Sequence, residues 1–86
     1  MKDSSEVGPA RAVFATNLRR ARRLQEVSQE QLALRSGMSR VFVGQIERGE
    51  RSLTIDSMGA LAEALGVPLK DLVDPEYLSG AKTKSK

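Results

Sequence analysis

Apolar residues recur along this chain at intervals of three and four. Nowhere do β-branched residues alternate with polar ones, so the pattern predicts helices and no strands. From Ala10 to Gln25, at about 100° per residue, Ala10, Phe14, Asn17, Leu18 and Ala21 gather on one face. Arg19, Arg20 and Arg23 lie opposite, Arg22 sits at the edge, and Pro9 suits the first helical position. Ser28-Gln29-Glu30-Gln31 reads as a capping box that opens a second helix. It runs through Ser36 with Leu32 and Ala33 inward, and Gly37 closes it. Ser39 as N-cap and Gly49 as stop bracket a third helix, Arg40 to Arg48. Thr54 caps a fourth, Ile55 to Leu65, ended by Gly66. Pro68 starts a short fifth that reaches Val73 and stops near Asp74-Pro75. The expected fold is all-α, five compact helices with short connections.

Eighty-six residues leave room for one core. The expected domain covers residues 9–78, between a disordered arm at 1–8 and a disordered basic tail at 79–86; no internal repeat appears. In the fourth helix Ile55, Met58, Leu61, Ala62 and Leu65 are expected to face the core. Leu69, Leu72, Val73 and Tyr77 divide between the core and a second chain. So short a helix cannot hide that many apolar groups.

Composition removes chemistry. With no histidine and no cysteine there is no disulfide, thiolate metal site or His-dependent triad, so no metal and no cofactor are expected. The close carboxylate pairs, Glu47 with Glu50 and Asp71 with Asp74, suit solvated or capping roles and imply no cleft, so the chain reads as not an enzyme. Phe14, Phe42 and Tyr77 are too few for a base-stacking platform. No apolar run approaches the ~20 residues of a membrane span, no signal-peptide stretch follows Met1, and the alanine-rich face at 10–25 is needed for the core, so no membrane partner is expected.

The net charge of +3 is unevenly placed. Residues 10–25 carry Arg11, Arg19, Arg20, Arg22 and Arg23 with no acid, whereas residues 53–75 sum to −3. Such polarity orients a protein on a polyanion better than the total suggests.

The informative segment is Ser28 to Gly49, SQEQLALRSGMSRVFVGQIERG. Gly37-Met38 joins two capped helices by a turn of the length that sets them at the ~90–120° crossing of a helix-turn-helix. On the second, Gly44, Arg48, Val41 and Gln45 fall within about 140° of Arg40, while Phe42, Ile46 and Val43 lie on the other side. Arginine can donate to guanine O6 and N7, glutamine can pair with adenine, valine can touch a thymine methyl, and glycine lets a backbone come close. Periodicity alone favours an ordinary solvated face, since such faces are common. The helix starts at Ser28-Gln29 and Ser39, and the Gly49-Glu50-Arg51-Ser52 stretch with its flexible glycine and basic Arg51, add three phosphate-ready positions, which favours double-stranded DNA.

From Phe14 to Val73 the chain resembles the lambda-repressor-like, XRE/Cro-C1 helix-turn-helix family. The resemblance rests on the order and spacing of several stretches. These are Leu18-Arg19-Arg20-Ala21-Arg22, Val27 to Ala33, Gly37-Met38-Ser39, Val43, Ile46-Glu47-Arg48-Gly49, and Leu61 to Val67. Ser39 to Val43 and Arg51 to Ile55 are similar to the controller proteins of restriction-modification systems.

The resemblance implies base reading by Arg40, Val41, Gly44 and Gln45. It implies phosphate or helix-start contacts by Ser28, Gln29 and Ser39, and backbone contacts by Arg48, Arg51 and Ser52. Arg22 and Glu47 match a partly buried ion pair that ties the first helix to the third. Phe42, where a small hydroxyl residue is usual, either packs on the sugar-phosphate edge or joins the core. Glu26 stands where the family usually has glycine in a left-handed turn, so it is strained or the helix ends differently.

The implied function is a sequence-specific transcriptional regulator, Cro/C1-type and repressor-like. It binds a pseudo-palindromic operator as a homodimer joined through Leu69, Leu72, Val73 and Tyr77, in the cytoplasm, on the nucleoid, of a bacterial or phage-like system. The alternative is an antitoxin or other protein-interaction module of the same fold, with a protein partner.

Overall fold

The computed structural model describes residues 9–78; the expected arm at 1–8 and tail at 79–86 lie outside the described residues. Five helices follow in order: α1 (Pro9–Leu24), α2 (Gln29–Ser36), α3 (Arg40–Glu47), α4 (Ile55–Leu65) and α5 (Leu69–Leu72). Among the described residues there is no strand. α2 and α4 have the expected bounds, whereas α1, α3 and α5 each end one residue earlier than expected, α5 being a single turn that stops before Val73.

Side chains start these helices. The Ser28 hydroxyl accepts from the Gln31 amide at 3.0 Å, and the Gln31 side chain accepts from the Ser28 amide at 2.8 Å, closing the capping box. Ser39 and Thr54 accept from the Phe42 and Ser57 amides, each at 3.0 Å. Such a cap contributes ~1 kcal/mol.

Helix ends repeat one motif. The chain turns left-handed and an amide reaches back over six residues, as from Met38 to Ala33 and from Val67 to Ala62. Glycine takes the left-handed position after α2, α3 and α4, but after α1 it falls to Glu26, at φ +59°. Of the two possibilities open there, the helix ends in the ordinary way and the strain is accepted.

The core gathers Phe14, Leu18, Ala21, Val27, Leu32, Ala33, Val43, Ile46, Leu61, Ala62, Leu65 and Leu72. α2 packs on α3 and α4, and α1 lies across α3, α4 and α5. Each fully buried leucine or isoleucine contributes ~1.5–3 kcal/mol. Buried Asn17 fastens α5 to α1, its Nδ2 donating to the carbonyls of Leu72 at 3.1 Å and Asp74 at 2.8 Å. Gln25 Nε2 likewise donates to the Leu65 carbonyl at 2.7 Å, tying the end of α1 to that of α4.

Two expectations about apolar residues are corrected. Ile55 does not face the core: it is 68% exposed, because it is the first residue of α4 and projects beyond the layer that covers Leu61, Ala62 and Leu65. Leu72 is fully buried in the core, since α5 folds back on α1, so it offers nothing to a second chain. Val73 remains 45% exposed, and Leu69 and Tyr77 are partly buried against the core. Burial and the neighbouring Asp71 carboxylate raise the Tyr77 hydroxyl above its usual range.

Candidate nucleic-acid interface

α3 owes its two faces to its apolar spacing. Val43 and Ile46 are buried, while Arg40 and Val41 are exposed and Gln45 is half-buried. Arg40 opens onto a cleft shared with Arg22, Arg23, Ser28, Gln29 and Glu30, where the end of α1 meets the starts of α2 and α3. The amides beginning each of those helices carry partial positive charge.

Beneath this face lies Glu47. Its carboxylate accepts from Arg22 Nε at 2.6 Å and Nη2 at 2.9 Å, and from Gln29 Nε2 at 3.1 Å. Arg22 Nη1 donates to the Val27 carbonyl at 2.9 Å. The pair is almost wholly buried and locks α3 against α1 and α2.

Gly44 sits under two side chains. A Cβ there would meet Arg48 Nη1 at 3.3 Å and Gln29 Oε1 at 3.8 Å. The guanidinium of Arg48 therefore folds back along the edge of α3. It is held from the other side by Glu50, with Nε to Oε2 at 2.9 Å and Nη2 to Oε1 at 3.3 Å. This bidentate hydrogen bond and the attraction between opposite charges raise Arg48 above its ordinary value. The hydrogen bond from Arg48 holds the Glu50 carboxyl below the usual range.

The loop after α3 is pinned from two sides. Arg11 Nη2 donates to Ser52 Oγ at 2.6 Å, and Arg11 Nη1 to the Gly49 carbonyl at 3.5 Å. Arg51 lies 5.1 Å over the Phe42 ring. Phe42 is partly buried against the core, and that is where its ring packs.

Residues 18–72 match the family model HTH_3, helix-turn-helix. The chain belongs to this family. A control protein of Serratia marcescens, C.SmaI, is 38% identical over 66 residues, covering 77% of this chain and 79% of that one. The control protein C.BamHI of Bacillus amyloliquefaciens is 37% identical over 75 residues, covering 86% and 93%. The crystal structure of the restriction-modification controller protein C.AhdI from Aeromonas hydrophila superposes with a TM-score of 0.70 at 37% identity, over 72% of this chain and 90% of that one.

As a member of this helix-turn-helix family, the chain brings Ser28, Gln29, Ser39, Arg40, Val41, Gly44, Gln45 and Arg48 together on α2, α3 and their caps. Arg51 and Ser52 join from the following loop. Leu69, Val73 and Tyr77 lie on and after α5, and Val73 lines a pocket with Arg11, Arg51 and Ser52. Sequence reasoning missed Arg11 and Glu50. Arg11 meets its partners 38 and 41 residues away, and nothing local signals that. Glu50 stood close to Arg48 in the sequence, but only the fold of the turn shows that the two meet. Among the described residues no helix is long and apolar enough to cross a membrane, and no three His, Cys, Asp or Glu side chains are grouped to hold a metal ion.

Proposed function

We propose that this helix-turn-helix protein is a transcriptional regulator, not an enzyme, and that it binds a specific double-stranded DNA site with α3 in the major groove. The observation carrying this is the outer edge of α3, where Arg40 and Val41 are exposed and Gln45 is half-buried, on a helix locked from behind by Arg22 and Glu47. A rigid helix presenting an arginine, a glutamine and an apolar contact can distinguish base pairs. Gly44 is buried beneath Arg48 and Gln29 and has no side chain to read with, so it is left out of the reading set. The starts of α2 at Ser28 and Gln29 and of α3 at Ser39, with Arg48, Arg51 and Ser52, serve as phosphate contacts. The partly buried Phe42 supports Arg51.

The protein acts as a homodimer, which suits a pseudo-palindrome with half-sites about one turn, ~34 Å, apart. Leu69, Val73 and Tyr77 form the pairing surface, without Leu72. The likeness to control proteins supports this reading, as does the exposure of Val73. Such a regulator works on the nucleoid in the cytoplasm, with no cofactor required.

Selection of bound duplexes from a random pool tests the reading. Enrichment of a palindromic consensus is the expected result. A pool that stays random overturns DNA reading and directs the search to a protein partner.

A further inference from the structure

We propose that Glu50 sets the strength of the DNA contact by occupying, in the free protein, the Arg48 guanidinium that a backbone phosphate would otherwise take. This rests on the reading of Arg48 as a backbone contact.

The geometry is that of a phosphate stand-in. Glu50 offers two oxygens to Nε and Nη2 of Arg48, at 2.9 and 3.3 Å, the same fork a phosphodiester presents with its two free oxygens. Both partners cannot be held by those donors at once. Phosphate binding is then an exchange of one anion for another.

The backbone builds this pairing. Residues two apart do not face each other on a helix. Here Gly49 adopts φ +75°, and the Glu50 amide returns to the Gln45 carbonyl at 2.9 Å, so the chain doubles back and sets Glu50 beside Arg48. A side chain at position 49 would strain that turn, because L residues rarely adopt this conformation.

Location makes the pair consequential. Arg48 Nη1 reaches to within 3.3 Å of where a Gly44 Cβ would stand, so the pair lies along the edge of the reading helix. Among the described residues neither Arg40 nor Arg51 is paired with a carboxylate. Of these three arginines only Arg48 carries its own anion. Both members are more than half exposed, so exchange needs no repacking of the core. The consequence is lower affinity for every duplex alike, since phosphates carry no sequence information.

The test is a double-mutant cycle by fluorescence anisotropy, using the full chain, its selected duplex and a scrambled one across a salt series. Glu50→Gln should tighten both duplexes by about two- to fivefold and steepen the salt slope by about one charge. In an Arg48→Gln background, Glu50→Gln should change little. A gain of equal size in that background shows bare repulsion between Glu50 and DNA and overturns the exchange. A loss of affinity in Glu50→Gln shows that Glu50 positions Arg48, and also overturns it. Unchanged affinity, with the native chain binding normally, overturns this proposal alone. A native chain that binds no duplex overturns the DNA reading itself.

Discussion

Arg22 and Glu47 face each other fork to fork, with N to O distances of 2.6 and 2.9 Å, across the junction of the first and third helices. The carboxylate side chain is 2% exposed and the guanidinium side chain 11%, so neither charge has water to fall back on. Removing one partner strands the other.

Glu47→Ala should therefore lower stability by about 3–5 kcal/mol, read as a fall in the midpoint of thermal or urea unfolding. DNA binding should be lost in step with the folded fraction. Arg22→Met combined with Glu47→Leu should recover most of the stability, because no charge is then left buried alone. A single variant that melts like the native chain would show that the pair contributes nothing.

Arg40 and Arg51 should respond differently to truncation. Arg40→Ala should relax the preference for one base position by about 1–3 kcal/mol. Arg51→Ala should weaken selected and scrambled duplexes alike, and lower the salt slope by about one. Parallel titrations against the two duplexes separate these outcomes. An unchanged ratio between duplexes in Arg40→Ala would remove Arg40 from the reading set.

Glu26 offers a gain in stability. Its left-handed backbone costs a residue with a Cβ more than it costs glycine, and its side chain is exposed. Glu26→Gly should raise the unfolding free energy by up to about 1 kcal/mol, less the extra entropy of glycine in the unfolded chain. A fall in the denaturant midpoint would show that the side chain contributes more than the turn loses.

The Glu50 carboxylate should titrate below the ordinary glutamate range, because its charged form is held by the hydrogen bond from Arg48. Its pairing is complete above that ordinary range and is lost as pH falls through the depressed value. Carbon-detected NMR of the glutamate carboxyls would follow this. In Arg48→Gln the Glu50 midpoint should move back up. An unmoved Glu50 would mean that the pair does not persist in solution.

Much of this protein was legible from one dimension. Caps and stops are local: Ser28, Ser39 and Thr54 bond amides within three residues, and Gly37, Gly49 and Gly66 turn on their own backbone. Spacing along α3 assigned Val43 and Ile46 to the interior and Arg40 and Val41 to the surface, because a helix wheel follows from the rise per turn.

Tertiary structure decided what local rules leave free. The wheel of α4 marked Ile55 as core-facing, but only the packing shows that, among the described residues, little covers this first position while Met58 packs on the core. The apolar character of Leu72 fits a core or a partner equally, and the bonds from Asn17 to the chain at 72 and 74, which fold α5 onto α1, settle it for the core. Arg11 reaches Ser52 and Gln29 reaches Glu47 through contacts that depend on where separate segments come to rest. Hydrogen bonds within a turn are written in adjacent residues; those between segments exist only once burial of the shared core has brought the segments together.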